Sequence, residues 1–190
     1  MSLLCAIILL SSKTKAQHID SLRIYHWSQV ATLPTDSVTA ISFRKLKLRE
    51  LPPDLAKYTR LRYLDLGQNK LKSLPDYLQN MQHLQVLDLN RNELAAFPPV
   101  LLNLPALEKL ILNRNSISAL PEDIHRMKAL RVLDLWDNPL PSLPDSLAAM
   151  SHLKELHLEG IMYGPTFQEN WRKTLTGVRI YFDQPCDCRE

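Results

Sequence analysis

The chain has 190 residues, 45% hydrophobic and 23% charged, which is enough for one good core and hardly for two domains. Its formal charge is +3, and no Lys/Arg stripe interleaved with aromatics appears, which argues against nucleic acid as a partner. With 4 glycines against 13 prolines, a flexible low-complexity chain is excluded.

The first residues, Met1 to Leu10, read Met-Ser-Leu-Leu-Cys-Ala-Ile-Ile-Leu-Leu. This run is too short to cross a bilayer, which needs about 20 apolar residues, so no transmembrane segment is expected there. It has the size of the apolar region of a secretory signal. Thr14 and Ala16 are small residues at the two positions a signal peptidase reads. Residues 1–16 are therefore expected to be a signal peptide cleaved before Gln17, although no Lys or Arg precedes the run. The alternative is an apolar strand or helix packed on the N-terminal end of the fold. A lipoprotein signal on Cys5 fits poorly, because Leu4 stands where a small residue is wanted. Loss of Lys13 and Lys15 with the signal would bring the chain close to neutrality. Residues 17–37 are expected to form an N-terminal cap, with a short helix from Trp27 to Leu33 ended by Pro34.

A repeat begins at Val38. Leu61-Arg-Tyr-Leu-Asp-Leu-Gly-Gln-Asn-Lys-Leu aligns with Leu84-Gln-Val-Leu-Asp-Leu-Asn-Arg-Asn-Glu-Leu, 23 residues later. Leu107-Glu-Lys-Leu-Ile-Leu-Asn-Arg-Asn-Ser-Ile and Leu130-Arg-Val-Leu-Asp-Leu-Trp-Asp-Asn-Pro-Leu follow at the same interval. Stepping back reaches Val38, Ile41 and Phe43, and stepping forward reaches Leu153, Leu156 and Leu158. Six copies without an insertion define residues 38–163 as one array, its last unit incomplete.

Each unit has a physical reading. Leu-x-x-Leu-x-Leu alternates at its end, so one side of a short strand is apolar and the other is free. Asn69, Asn92, Asn115 and Asn138 recur at one fixed place. A buried amide must satisfy its donors and acceptor, and stacked amides can do so on backbone groups between neighbouring coils. Leu46 and Ile161 stand where the first and last units would carry this Asn. A Leu-Pro step follows in Leu51-Pro52, Leu74-Pro75, Phe97-Pro98, Leu120-Pro121 and Leu143-Pro144. Proline holds its predecessor extended and suits the first turn of a helix. Acids come next in Asp54, Asp76, Glu122, Asp123 and Asp145, where a helix N-terminus favours them. Pairs such as Leu78/Met81 and Ile124/Met127, three apart, give one buried edge of a short helix or 3₁₀ turn.

This pattern resembles the leucine-rich-repeat family, in its 23-residue Leu-Pro form found in Ras-suppressor-like and many bacterial repeat proteins. The resemblance covers Val38 to about Tyr163. It implies an α/β solenoid: a curved right-handed coil with a parallel sheet on the concave face and short helices or 3₁₀ turns on the convex face. It also implies a binding role and does not identify the ligand.

Residues 164–190 are expected to form a C-terminal cap: a helix from Pro165 to Leu175, then Leu175-x-x-Val178-x-Ile180-x-Phe182 as a further strand. The chain closes on Cys186 and Cys188, which read as a disulfide or two free thiols. No second Cys/His cluster completes a zinc site.

In such a solenoid the residues flanking the strand leucines face the concave surface. One column is Ser42, Asp65, Asp88, Ile111, Asp134 and His157; a second is Arg44, Gly67, Asn90, Asn113, Trp136 and Glu159; a third is Lys45, Gln68, Arg91, Arg114 and Asp137. Asp65 and Asp88 fall on neighbouring strands, about 4.8 Å apart, and suggest an acid/base or metal pair. Leu-Asp-Leu is also the common idiom of the repeat, with Arg91 and Arg114 expected to offset the acids. No nucleophile–base constellation, phosphate loop or metal motif is visible, so neither an enzyme nor a cofactor is expected. Trp136 and Ile111 are large apolar residues on a surface of Asp, Asn and Arg, and buried aromatic anchors dominate interface energetics.

The expected ligand surface is Asp65, Asp88, Asn90, Arg91, Ile111, Asn113, Arg114, Asp134 and Trp136. Its expected partner is a protein met outside the cytoplasm, in the periplasm, on the cell surface or after secretion. One alternative is a glycan or cell-wall polymer stacked on Trp136. The other is an intracellular scaffold, should residues 1–16 not be a signal.

Overall fold

The computed structural model describes residues 22–183. The expected signal peptide, its cleavage site before Gln17, and Cys186 and Cys188 lie outside the described residues. The described chain is a solenoid whose concave face is one parallel sheet of eight strands in chain order. These are β1 (Tyr25–His26), β2 (Ala40–Ser42), β3 (Tyr63–Asp65), β4 (Val86–Asp88), β5 (Lys109–Ile111), β6 (Val132–Asp134), β7 (Glu155–His157) and β8 (Arg179–Tyr181). From β2 to β7 the register advances by one repeat per strand: Ile41 pairs with Leu64, then Leu87, Leu110, Leu133 and Leu156.

The leucine pattern produces this sheet by a simple route. The middle and third leucines of each unit, such as Leu64 and Leu66 or Leu87 and Leu89, are fully buried. Each contributes up to about 2 kcal/mol by leaving water. Between them, one side chain per strand points the other way, onto the concave surface.

The Leu-Pro step closes the convex side. Pro52, Pro75, Pro98 and Pro144 lie extended, and each proline carbonyl accepts the N–H three residues on: Leu55 to Pro52, Leu78 to Pro75, Leu101 to Pro98, Ile124 to Pro121 and Leu147 to Pro144, at 3.0–3.2 Å. The convex segments are 3₁₀ turns at Pro53–Lys57, Asp76–Asn80, Pro99–Asn103, Ile124–Arg126 and Asp145–Ala149.

The four asparagines fill the turns between coils. The Asn92 amide donates to the carbonyls of Leu66 and Leu89, both at 3.0 Å, and its Oδ1 accepts from Leu71 N–H at 3.0 Å. Asn69, Asn115 and Asn138 repeat this pattern one coil before and after. The residue before each Asn is left-handed: Gln68, Arg91, Arg114 and Asp137 have φ between 50° and 57°, and Gly160 takes the same place at 74°.

The ends depart from the sequence reading in two ways. The N-terminal helix α1 spans only Trp27–Val30 and is preceded by β1, which the sequence reading lacks. Tyr25 pairs with Ile41, too short an interval for the repeat to reveal, and two residues are too few to show alternation. Trp27 seals this end, stacked on Phe43 at 4.7 Å with Tyr58 at its edge.

At the other end α2 spans Pro165–Thr174, and β8 pairs two residues later than the leucine alignment implies. Ile180, not Val178, lies opposite Leu156. Leu175 is buried as the residue that ends α2, its N–H donating to the Trp171 carbonyl, and so does not start a strand. Gly177 then turns at φ 84°. A shift of two preserves which side chains face the core, so the hydrophobic pattern tolerates it. Tyr163, stacked on Phe167 at 3.9 Å, closes this end, and its hydroxyl donates to the Leu140 carbonyl at 2.8 Å.

Candidate functional site

The concave sheet divides into two halves. In the N-terminal half the polar groups are turned on one another. Asp65 Oδ1 accepts the backbone N–H of Gly67 at 2.9 Å, and Asp88 Oδ1 that of Asn90 at 2.9 Å. Asp134 does the same for Trp136 at 3.2 Å, and the Ser42 hydroxyl for Arg44 at 3.2 Å. The Leu-Asp-Leu idiom thus ends β3, β4 and β6 with a side chain that satisfies the next turn, as Ser42 does for β2. Ile111 is the one member of this column from β2 to β6 that cannot do so.

Asp65 and Asp88 also share a cation. The Arg44 guanidinium donates to Asp65 Oδ2 from Nε at 2.9 Å and to Asp88 Oδ2 from Nη2 at 2.6 Å. Arg91 and Arg114, the partners expected from the sequence, do not offset these acids. Arg91 is exposed and pairs with no carboxylate among the described residues, and Arg114 approaches Asp137 at 3.7 Å. The reason is Gly67. With no side chain there, Arg44 lies across β3 and reaches β4; a Cβ on Gly67 would meet the guanidinium carbon at 3.0 Å.

Burial pushes the Asp88 carboxyl above the ordinary carboxylate range, outweighing the Asn90 N–H and Arg44, with Asp65 and Asp134 adding to the rise. Burial works against the Arg44 cation, but its hydrogen bond and charge pairing with the two acids raise its pKa. Asp65 and Asp88 are only 6% and 5% exposed, so this pair is a braced floor. Among the described residues no group of three or more His, Cys, Asp and Glu is arranged to hold a metal ion.

The C-terminal half is more open. Trp136 is half-buried, with the Arg114 guanidinium 4.2 Å from its ring centroid. Neither Trp136 nor Ile111 belongs to the hydrophobic core or packs against it. Asn113 is half-buried and donates to Asp134 Oδ2 at 2.5 Å. Asn90, between the halves, donates to Asp88 Oδ2, while its own Oδ1 is buried without a partner among the described residues. Ile111, Asn113, Arg114, Asp134 and Trp136 therefore lie together on β5, β6 and the turns that follow them, while Arg91 flanks them from the previous coil.

Two features escaped sequence reasoning. Arg44 stands in the second column two strands from Asp88, and the available signal was a glycine beside it. His157 stacks on Tyr181 at 4.3 Å and 10°, between Glu155 at 3.8 Å and Glu159 at 3.7 Å. The unshifted alignment of β8 hid Tyr181.

The fold and this face define a leucine-rich-repeat protein. A family model described as "Leucine rich repeat" matches residues 37–94, 59–117, 83–140 and 105–160, and the chain belongs to that family. Members of it are commonly protein–protein interaction modules. Among solved structures it is similar to a leucine-rich-repeat protein of Leptospira interrogans, with 33% identity and a TM-score of 0.67 over 72% of this chain and 35% of that one. Internalin C2 of Listeria monocytogenes matches with 21% identity and a TM-score of 0.61 over 78% of this chain and 62% of that one. Toll, in its Drosophila complex with Spatzle, matches with 21% identity and a TM-score of 0.62 over 79% of this chain and 22% of that one. At those identities internalin C2 and Toll share the fold alone. The chain spans about a third of the Leptospira protein and less than two thirds of the others. No curated protein matches it. Among the described residues no helix is long and apolar enough to cross a membrane.

Proposed function

We propose that this chain is a non-catalytic recognition module that binds a protein partner through its concave sheet, outside the cytoplasm. The observation that carries the reading is Trp136, a large aromatic on the polar face that does not pack on the core. A half-buried indole in that position leaves apolar area that the core does not cover, and a partner that covers it gains by removing that area from water. Ile111, Asn90, Asn113, Arg91, Arg114 and Asp134 surround it with one aliphatic, two amides and charges of both signs, the composition of an anchor with a polar rim. Asp65 and Asp88 extend the face as its braced floor. The backbone is fixed by the asparagine ladder, so ordering on binding costs little. Toll, whose repeats share this fold, is seen in complex with the protein Spatzle. A glycan platform fits less well, because Arg114 already covers one face of the indole.

The extracytoplasmic placement rests on the apolar run of Leu3 to Leu10 and on Thr14 and Ala16. Mass spectrometry of the protein from its native host tests it: a terminus at Gln17 is expected, and an intact Met1 or Ser2 terminus in the soluble cytoplasm would make the chain an intracellular scaffold.

Crosslinking followed by pull-down identifies the partner, and calorimetry on variants tests the face. Trp136→Ala should weaken binding by about 2 kcal/mol or more. Arg91→Ala and Arg114→Ala should mainly change salt dependence and association rate. Full affinity in Trp136→Ala with loss in the convex-side Gln79→Ala would place the binding surface on the convex side.

A further inference from the structure

We propose that the first three coils carry a second docking surface, beside the concave sheet, for an acidic protein segment with a single apolar anchor residue. The basis is a pair of adjacent features in the loops that lead from the strands to the convex turns. The first is charge. Lys47 and Lys70 occupy the same place on neighbouring coils, tied by the Lys70 N–H donating to the Leu48 carbonyl at 2.8 Å. Arg49 and Lys72 occupy the equivalent place two residues on. Coils stack about 4.8 Å apart, so like charges sit side by side and repel. All four are exposed, and none takes part in an ion pair among the described residues. The next coils carry Glu93 and Ala95, then Ser116 and Ser118, at these places, so the cluster is confined to one end. The fold gains nothing from the arrangement, since the ladder asparagines hold these loops through backbone groups.

The second feature is apolar. A groove of about 210 Å³ is walled by Leu74, Phe97, Pro98 and Val100, with Lys72, Asp76 and the exposed Ala96 also in its lining. It has room for one leucine-sized side chain. The coil that supplies most of its wall is unusual. From Ala95 to Leu107 it has no charged residue, and its convex turn lacks the acid that the first, second and last turns carry in Asp54, Asp76 and Asp145. Cations beside a mainly apolar groove, whose charged lining is Lys72 at one edge and the single acid Asp76, complement an acidic chain that inserts one apolar side chain. A bare polyanion would leave the groove unused.

The test is fluorescence anisotropy of the full chain with a labelled oligoglutamate peptide carrying one central leucine. Binding is expected at low salt and should weaken as salt rises. Replacing the leucine by serine should weaken it about tenfold. Lys47→Glu with Lys70→Glu should reduce it by about tenfold or more, as should Arg49→Glu with Lys72→Glu. Ala96→Glu should abolish the preference for the leucine peptide. The charge-matched pair Lys128→Glu with Lys154→Glu, elsewhere on the solenoid, should leave binding intact. Equal binding of the leucine and serine peptides, equal loss in the Lys128/Lys154 pair, or no peptide binding at all would overturn the proposal. So would sedimentation with phosphatidylserine vesicles in the absence of peptide binding, which would make the ligand a membrane.

Discussion

Arg44 and Asp88 lie 44 residues apart and two strands apart, yet the Arg44 Nη2 donates to Asp88 Oδ2 at 2.6 Å. The intervening strand permits this because its member of the same column is Gly67. Two buried carboxylates therefore share one guanidinium, and removing it should leave both without a countercharge, held by the neutral donors of Ser42, Gly67 and Asn90. Arg44→Ala is expected to cost about 2 kcal/mol, short of the roughly 3–5 kcal/mol of a fully buried pair. The discount reflects an Arg44 side chain that is still 31% exposed. Adding Asp88→Asn to Arg44→Ala should recover part of the loss in urea denaturation. No recovery would mean that the acids do not need this cation.

The same site makes stability depend on pH with a definite sign. The Asp88 carboxyl holds its proton more tightly folded than unfolded, because burial raises its pKa. Ionised Asp88 therefore opposes folding at neutral pH. That opposition disappears as pH falls through the raised folded value towards the ordinary 3.8. Wild type should gain stability relative to Asp88→Asn between about pH 7 and pH 4, read from urea midpoints of both at each pH. A relative loss for wild type over that interval would reverse the assigned sign.

Asn92→Ala should destabilise by about 1–3 kcal/mol, because the Leu66 and Leu89 carbonyls and the Leu71 N–H lose their partner. Glu93→Ala, at the exposed neighbour, should change the denaturation midpoint little. Equal midpoints for the two variants would remove the ladder from the account of stability.

Gly160→Ala should destabilise by about 1–2 kcal/mol. Gly160 is left-handed at φ 74°, and an added Cβ would lie 3.1 Å from the backbone N and Cα of Asp137, atoms that cannot swing away. Gly164→Ala places its Cβ in open space and serves as the comparison. A thermal midpoint for Gly160→Ala equal to that of Gly164→Ala would show that the last turn relaxes freely.

Most of the solenoid was legible because its information is local and repeated. Leu-x-x-Leu-x-Leu, the fixed asparagine and the Leu-Pro step each act within one coil or between adjacent coils, so a period of 23 residues states the strand, the ladder and the turn together. The surface columns follow from strand alternation alone, which is why Trp136 and Ile111 stand out in the sequence. Where the period breaks, the sequence lost its hold. β1 pairs across a shorter interval, and β8 slips by two because Leu175 ends a helix, a change that hydrophobic alternation does not register.

The charges on the concave face were settled only by the tertiary structure. Several arginines lay within reach of Asp65 and Asp88, and composition made Arg91 and Arg114 the natural partners. A guanidinium on a long flexible stem goes where space allows, and that space is a missing side chain on a third residue, Gly67. The sequence by itself determined which residues share the face, because backbone periodicity places them. Which of them are spent on one another and which stay open to a partner was decided by side-chain packing across three strands, since that depends on the shapes of neighbours remote in the chain.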